Sequence, residues 1–377
     1  MKDLILFGDC RESLKTIATS DTKARMCVTS PPYYGLRDYG TATWIGGDPN
    51  CNHRRDTKVK PENCNTGHKN HDEMYGVGDA IYKTVCPKCG AIRQDSQLGL
   101  EETPEEYIES LVDVFRSVRD VLTDDGTLWV NLGDSYYNYR PGKGQSYPKQ
   151  SVSKTKQDLP DECNKRGNKL DGLKEKDLSG IPWRFAFAMR KDGWYLRQDI
   201  IWHKPNPMPE SVKDRCTKSH EYIFLFSKNR KYFYDNESIK EPVKQDWGTR
   251  NRTNGKYHNI GSGLSPHSGL TKSYDRKNKR SVWSVTVKPY KEAHFATYPP
   301  DLIEPCIKAG SEEGDTILDP FMGAGTTAAV AKSLNRYYIG CELNEDYGNL
   351  IQKRIDDYYQ PVEEVSQNGL TELIDTL

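Results

Sequence analysis

The sequence lacks a net charge, a long apolar run and a recognisable targeting signal. Lys+Arg and Asp+Glu each total 54 among 377 residues, so the formal net charge is zero. A polyanionic partner would therefore have to be met by local basic patches and not by the field of the whole protein. No apolar run approaches the ~18 residues of a membrane span, and the first residues show no signal-peptide pattern. We expect a cytoplasmic protein that does not associate with a membrane.

A glycine-bearing turn near the C-terminus is the first sign of a ligand site. Residues 315–318 read as a buried strand and residues 326–334 as a helix. Gly323 and Gly325 lie in the turn between them, where the missing Cβ would let the backbone approach a ligand. Doubly wound α/β proteins cradle nucleotide-like ligands in this way. A second predicted strand ends on Glu342, which is placed to accept hydrogen bonds from ribose hydroxyls. A turn selected only for its tightness is the alternative.

A stiff loop near the N-terminus is the second sign. Residues 24–28 read as a buried strand, and Thr29-Ser30-Pro31-Pro32-Tyr33 follows. Two prolines cannot continue a strand ladder. They stiffen the loop at the carboxyl end of the strand, where open α/β sheets place their ligands. The loop presents a hydroxyl, rigid carbonyls and one aromatic face, a combination that is specific only together with the glycine turn.

The two motifs together resemble those of the amino-group DNA methyltransferases, which use S-adenosylmethionine. Ser30-Pro31-Pro32-Tyr33 is similar to the catalytic motif of that family, and Asp319 to Thr327 is similar to its cofactor motif. The catalytic motif comes first, an order that resembles the circularly permuted class called beta. The resemblance covers nearly the whole chain apart from two or three insertions. It implies an α/β fold: a doubly wound, mostly parallel, seven-stranded Rossmann-like sheet.

The resemblance also implies the site residues. The catalytic set is Ser30, Pro31, Pro32 and Tyr33. The cofactor set is Asp9, Cys10, Thr29, His294, Phe295, Asp319, Pro320, Phe321, Gly323, Gly325, Thr326, Thr327 and Glu342. In the family, the acid that ends the first strand approaches the adenine, and the segment with His294 and Phe295 closes over the methionine part. From its residue type alone, Asp9 is nearly as well explained as a helix N-cap, and the two roles are compatible.

The implied reaction is methyl transfer to the exocyclic amino group of a base flipped out of duplex DNA. The Ser30 hydroxyl and the Pro31 carbonyl would accept the two amino hydrogens, and Tyr33 would stack on the base. The remaining catalysis is alignment for in-line transfer from a sulfonium. A Ser in the first motif position favours cytosine N4. Adenine N6 is the alternative, although adenine enzymes usually carry Asp or Asn there. An RNA or protein methyltransferase and an inactive zinc-containing DNA-binding protein fit less well.

A polar segment contains two short cysteine motifs. Cys-x-His and Cys-x-x-Cys together supply four ligands of the kinds that tetrahedral structural zinc prefers, namely Cys51, His53, Cys86 and Cys89. A closed zinc site would stabilise a loop too polar to build its own core. Cys64, His68 or His71 could replace one ligand, and a loop without metal is the alternative.

Composition divides the chain into a catalytic domain and elaborations. We expect residues 1–40 and 100–234 to form the first part of the methyltransferase domain, with a flexible insertion at 137–179. Residues 41–99 are the zinc-binding insertion, 235–283 the target recognition region, 284–360 the cofactor-binding part and 361–377 a tail. The expected partners are double-stranded DNA and a paired restriction endonuclease, with the protein a monomer or a dimer.

Three further segments carry weaker signals. Residues 235–281 hold ten basic and five acidic side chains, a surplus that suits phosphate contacts. The proline-rich loop at residues 203–209 is stiff enough to hold a flipped base or a phosphate. Asp134, after a predicted strand at residues 126–132, either contacts the base, supports the catalytic loop or is a plain turn residue.

Overall fold

Short apolar runs that end at polar loops build the strands of this protein, and amphipathic runs build its helices. The computed structural model describes residues 2–35, 41–53, 82, 85–137, 172–243, 275–288 and 297–358. The strands are β1 (Leu4–Phe7), β2 (Ala24–Thr29), β3 (Thr43–Ile45), β4 (Ile92–Gln94), β5 (Leu122–Leu132), β6 (Tyr195–His203), β7 (His220–Ser227), β8 (Glu241–Pro242), β9 (Arg276–Lys277), β10 (Val282–Ser284), β11 (Thr316–Asp319) and β12 (Tyr337–Glu342). The helices are α1 (Cys10–Ala18), α2 (Pro104–Val121), α3 (Ile181–Lys191), α4 (Pro300–Gly310), α5 (Thr326–Ser333) and α6 (Gly348–Tyr358).

Among the described residues, eight strands form the central sheet, in the order β1-β12-β11-β2-β5-β7-β6-β10. Only β7 runs antiparallel to its neighbours β5 and β6, and the other neighbouring pairs are parallel. The mostly parallel α/β fold is confirmed, but the predicted seven strands are one too few. The additional strand is β10, whose three residues pair with β6 and carry too short an apolar pattern to be predicted.

The helices cover both faces of this sheet. Buried side chains of α1, α2 and α3 pack together on one face, and those of α4, α5 and α6 pack on the other. The start of α2 is fixed by a capping box, in which the Thr103 side chain accepts from the Glu106 backbone N–H and the Glu106 side chain accepts from the Thr103 backbone N–H. No described helix is both long and apolar enough to cross a membrane.

The sheet topology brings distant segments to one edge. Because seven of the eight strands are parallel, their carboxyl ends meet there, and the reversed strand β7 begins there. The loops that follow β1, β2, β5, β6, β11 and β12 therefore share one edge with His220 and Glu221. Parts of the predicted site lie outside the described residues, namely His294, Phe295, Cys64, His68, His71 and residues 138–171, 244–274 and 359–377.

Candidate active site

Asp319 joins the two sequence motifs. Its Oδ1 accepts hydrogen bonds from the Thr29 hydroxyl at 2.5 Å and the Phe321 backbone N–H at 3.0 Å. Its Oδ2 accepts from the Thr327 hydroxyl at 2.5 Å and the Tyr298 hydroxyl at 3.1 Å. Burial raises the pKa of this fully buried carboxyl, and the four hydrogen bonds oppose the rise. Both carboxylate oxygens accept hydrogen bonds from residues of this chain, so Asp319 fixes the Ser-Pro-Pro-Tyr loop and the glycine turn relative to each other.

The two glycines of the turn have different surroundings. Gly323 has φ +54°, and a Cβ there would find no atom nearer than 3.9 Å, so its backbone faces open space. Gly325 has φ +82°, and a Cβ there would lie 2.9 Å from Ile351 Cγ2 on α6. Of the two, only Gly323 therefore has open space where its Cβ would lie among the described residues. Gly325 is required by its left-handed conformation and by the close packing of α6.

Glu342 ends β12 beside this turn, as predicted. Its carboxylate accepts hydrogen bonds from the Gly323 backbone N–H at 2.7 Å and the Asn344 backbone N–H at 2.9 Å. Burial raises the pKa of Glu342 to about 7, although the backbone donors lower it. The carboxyl group is therefore close to half-ionised near neutral pH and partly engaged with the glycine turn.

The end of β1 lies directly beside Glu342. Phe7 pairs with Glu342 in the sheet, and the Gly8 backbone N–H donates to the Glu342 carbonyl at 2.8 Å. Asp9 follows and caps α1 by accepting from the Arg11 backbone N–H at 2.9 Å. The Arg11 guanidinium also binds the Asp9 carboxylate. The N-cap role of Asp9 is confirmed, and its position puts it at the same edge as the glycine turn.

The Ser-Pro-Pro-Tyr loop follows β2 and is held from both sides. The Tyr107 hydroxyl of α2 donates to the Pro32 carbonyl at 2.7 Å. The Tyr33 hydroxyl donates to Glu221 Oε2 at 2.8 Å and lies 3.2 Å from Asn131 Oδ1. Burial and the nearby Glu221 charge raise the pKa of Tyr33, so its hydroxyl stays protonated. The aromatic ring is thereby fixed in one orientation before any substrate binds.

Glu221 is the centre of a polar cluster that the sequence analysis missed. Its Oε2 also accepts from Asn131 Nδ2 at 3.3 Å, and its Oε1 pairs with Lys204. Gly133 lets the ring lie close, since a Cβ there would be 2.6 Å from Tyr33 Cε2. One signal was available: Asn131 is a polar residue inside an apolar strand, and it is only 4% exposed. The 188-residue separation of Glu221 from Tyr33 could not be bridged by local patterns.

Asp134 supports the structure beside the catalytic loop. Its carboxylate accepts from the backbone N–H groups of Ser135, Gly180 and Ile181 at 2.9, 3.1 and 3.1 Å. The last two donors lie at the N-terminus of α3, which has no side-chain cap of its own. The Asp134 carboxylate therefore caps α3, and its predicted roles at the base or the catalytic loop stay predictions.

The four predicted metal ligands converge. Ligand atoms of Cys51, His53, Cys86 and Cys89 all lie within 4.8 Å of one another. The Cys51 and Cys86 sulfurs are 3.7 Å apart, and Cys89 Sγ lies 3.5 Å from His53 Nδ1. Ligands around a tetrahedral zinc ion are spaced roughly 3.3–3.8 Å apart, given bonds of about 2.0–2.3 Å. The donor set and its spacing therefore fit zinc.

Neighbouring residues shape this Cys/His cluster. The rings of Trp44 and His53 stack with centroids 4.3 Å apart. A Cβ at Gly47 would lie 2.8 Å from Cys89 Sγ, so a glycine allows the end of β3 to approach the Cys86-x-x-Cys89 motif. The Cys86 backbone N–H donates to the Ala91 carbonyl at 2.8 Å, which closes the turn between the thiols. The cluster is therefore built by the short antiparallel pair β3–β4.

Only the ends of the predicted recognition region are described. They form the antiparallel pair β8–β9. Several basic side chains there have acidic partners: Arg280 pairs with Glu241 at 3.2 Å, and Lys240 pairs with Glu237. The described part of this region therefore shows internal ion pairs, and its central residues 244–274 lie outside the described residues.

A mostly parallel sheet with a glycine turn, a terminal acid and a Ser-Pro-Pro-Tyr loop at one edge defines an S-adenosylmethionine-dependent amino-group methyltransferase of the permuted class. The family comparison gives the particular family. The sequence model of the N6/N4 methyltransferase family, described as DNA methylase, matches residues 24–353, so this chain belongs to that family.

Individual relatives agree with this assignment. The type II methyltransferase M.SmaI of Serratia marcescens is 39% identical over 357 residues, covering 93% of this chain and 90% of the relative. M.XycI of Xanthomonas campestris pv. cyanopsidis is 38% identical over 348 residues, covering 92% and 86%. The solved PvuII DNA methyltransferase (cytosine-N4-specific) shares the fold, with a TM-score of 0.50, 15% identity, and coverage of 100% of this chain and 92% of that one. The chain is therefore a DNA methyltransferase of a family that includes type II enzymes.

Proposed function

We propose that this enzyme methylates the exocyclic N4 of a cytosine flipped out of double-stranded DNA. The observation that carries the proposal is the hydrogen bond from Thr29 to Asp319, which fixes the Ser-Pro-Pro-Tyr loop beside the glycine turn. The two loops follow the neighbouring strands β2 and β11. A base at one loop can therefore meet a methyl donor at the other.

The cofactor seat is proposed to lie along the ends of β1, β11 and β12. Glu342 would accept from the ribose hydroxyls, Gly323 would offer open backbone, and Asp9 and Cys10 would border the adenine. Thr29, Asp319, Pro320, Phe321, Gly325, Thr326 and Thr327 would shape the seat. When bound, S-adenosylmethionine supplies an electrophilic methyl group on a sulfonium.

The residues of the catalytic loop would prepare the amino nitrogen. Ser30 and the Pro31 carbonyl would accept its two hydrogens and turn its lone pair toward the methyl donor. Tyr33, already fixed by Glu221, would stack on the base. Ser30 is too weak a base to remove a proton first, so the proton leaves to water after transfer.

The choice of base rests on Ser30. A neutral hydroxyl stands where adenine enzymes of this family usually carry Asp or Asn, which favours cytosine. Nucleoside mass spectrometry of DNA methylated by the purified protein tests the proposal. We expect N4-methylcytosine. N6-methyladenine as the sole product would show that the target base is adenine, and the assignment as a DNA methyltransferase would stand. Transfer of a labelled methyl group to RNA or protein, with none to duplex DNA, would contradict the proposal that DNA is the substrate.

We also propose that Cys51, His53, Cys86 and Cys89 hold one structural zinc ion. Support comes from the convergence of three thiols and one imidazole, whose ligand atoms all lie within 4.8 Å of one another. Four protein ligands would leave no open position, so the ion would stabilise the β3–β4 segment and take no part in methyl transfer.

Target recognition is proposed for residues 235–283, on the strength of their basic surplus. Double-stranded DNA is the proposed partner, and a paired restriction endonuclease is proposed from the type II relatives. Modification sequencing of DNA from cells that express the protein would report base, position and sequence context together.

A further inference from the structure

The loop between β6 and β7, residues 204–219, presents an apolar side chain at the edge that holds the catalytic loop. Met208 is 85% exposed, more than any other described large apolar side chain, the next being Ile92 at 59%. An isolated exposed apolar residue is ordinary on a protein surface. Met208 differs in how rigidly it is held and in where it lies.

The loop is stiff on both sides of Met208. Pro205, Pro207 and Pro209 alternate with Asn206 and Met208, and each proline fixes its own φ. The Asn206 side chain is clamped to the chain after β10: its Nδ2 donates to the Val287 carbonyl at 3.1 Å, and its Oδ1 accepts from the Val287 backbone N–H at 2.9 Å. The backbone on both sides of Met208 is therefore restrained, while Met208 itself is 85% exposed.

The base of this loop is tied to the catalytic loop. The Lys204 backbone N–H donates to the Ser219 carbonyl at 2.8 Å, which closes the loop. The Lys204 ammonium pairs with Glu221, the same carboxylate that accepts from the Tyr33 hydroxyl. The loop that carries Met208 and the Tyr33 ring proposed to stack on the base are thus both anchored at Glu221.

The charge of the loop suits a DNA surface. Residues 204–219 contain four basic side chains and two acidic ones. Arg215 lies over the Tyr136 ring with 3.8 Å between guanidinium carbon and centroid, and it pairs with Glu210. A modest basic surplus around one apolar tip is typical of proteins that contact phosphates while inserting a side chain between bases.

We propose that Met208 is the wedge that enters the DNA stack and fills the space left by the flipped target base. Flipping removes a base from its stacked position and costs unstacking free energy. An apolar side chain in the gap restores contacts with the bases on either side. Methionine is unbranched and polarizable, so it adapts to a gap of variable shape. The proposal rests on the proposed methylation of a flipped base and names the residue that stabilises the flipped state.

Single-turnover methylation of two duplexes tests this assignment. One duplex carries the recognition sequence with the target base paired, and the other has an abasic site opposite the target, so that no pair must open. On the paired duplex we expect Met208→Ala to slow methylation roughly tenfold or more, because the open gap is no longer filled. On the orphan-base duplex the same variant should approach the wild-type rate.

Three comparisons complete the test. Met208→Leu should keep the rate within roughly threefold, since leucine also fills an apolar gap. Val212→Ala, 39% exposed in the same loop, should match the wild type on both duplexes. A wild-type rate for Met208→Ala on paired DNA, equal losses on both duplexes, or equal losses in Val212→Ala would overturn the wedge. Failure of the wild-type protein to methylate either duplex would instead reject the proposed function.

Discussion

At the scale of single residues, the titration of Glu342 links cofactor binding to pH. Its pKa is raised to about 7, so the carboxyl group is mostly protonated at pH 6 and mostly ionised at pH 8. The ionised form is the better acceptor for ribose hydroxyls. We expect S-adenosylmethionine to bind up to about tenfold more tightly at pH 8 than at pH 6, as measured by calorimetric titration.

Two variants control for other titrating groups. Glu342→Gln should bind weakly and show only the pH dependence of the cofactor itself. Glu345→Gln, an exposed acid three residues later, should behave as the wild type. An unchanged affinity in Glu342→Gln at pH 8 would remove Glu342 from the cofactor seat.

Glu221 is expected to act through Tyr33 as a positioning residue. Tyr33→Phe removes the hydrogen bond that fixes the ring and Glu221→Gln weakens it, and bonds to charged groups contribute roughly 1.5–3 kcal/mol. We expect each variant to lower kcat about tenfold or more, with little change in the KM for S-adenosylmethionine. The double variant should be no slower than the worse single one, because both substitutions act on the same contact.

A matched variant separates positioning from general damage. Glu210→Gln changes another ion-paired loop carboxylate, whose partner is Arg215, and should retain kcat. Independent, multiplicative losses in the double variant would show that Glu221 does not act through the Tyr33 hydroxyl.

At the scale of elements, the two glycines of the cofactor turn should separate binding from stability. Gly325→Ala puts a Cβ at positive φ and 2.9 Å from Ile351, so we expect a loss of about 1–3 kcal/mol in the free energy of unfolding. Gly323→Ala meets no neighbour within 3.9 Å and should cost only the positive-φ strain, about 1–2 kcal/mol. Its added methyl group lies in the proposed cofactor seat, so it should weaken S-adenosylmethionine binding.

Gly314→Ala supplies the comparison for backbone strain alone, since Gly314 has φ +81° and open space around it. Urea denaturation and calorimetric titration of the three variants give the required values. Full cofactor affinity in Gly323→Ala, at a stability matching Gly314→Ala, would place the ligand elsewhere.

The Cys/His cluster gives a second prediction at this scale. We expect elemental analysis of protein purified without chelator to find one zinc ion per chain, and a Cys51→Ser, His53→Ala double variant to lose it. Removal of the ion should lower Tm, because metal binding would contribute to the folding of the β3–β4 segment. Cys216→Ser alters an exposed cysteine outside the cluster and should keep the ion.

Retention of zinc in the Cys51, His53 double variant would instead point to Cys64, His68 or His71 as replacement ligands. A preparation free of zinc that is fully stable and active would contradict the structural role.

At the scale of the whole molecule, local patterns predicted the elements, and long-range pairing decided what the site contains. The strand, turn and helix around Gly323 are encoded within a few consecutive residues, so all three were predicted. The reversal of β7 is not local, because it depends on pairing with β5 and β6. That reversal places the Glu221 carboxylate within hydrogen-bonding distance of the Tyr33 hydroxyl, and no sequence period could have indicated it.

The internal bonds of Asp319 show a related difference. The resemblance implied a cofactor contact, whereas the structure shows four hydrogen bonds within the chain, two of them from residues of the Thr29 and Tyr298 segments. Motif matching identifies which residues belong to a site. Whether a motif side chain contacts a ligand or other residues of the protein depends on how strands outside the motif pack around it.

The absence of net charge leads to a prediction for the complete protein. With 54 basic and 54 acidic residues, DNA affinity must come from local patches. Residues 235–281 carry a surplus of five basic side chains, from ten basic and five acidic ones. If each surplus charge neutralises one phosphate, the slope of log K against log salt concentration should be near −4.5 at about −0.9 per contact.

Fluorescence anisotropy of a labelled duplex, titrated at several salt concentrations, measures this slope. Charge-neutral replacement of Arg276 and Lys277 in β9 should make the slope shallower by about 2, whereas replacing Lys15 and Lys23, near α1, should leave it unchanged. A wild-type slope near zero would show that phosphates contribute little. If the β9 variants leave the slope unchanged and replacement of Lys213 and Lys218 makes it shallower, the phosphate contacts lie in the loop that carries Met208.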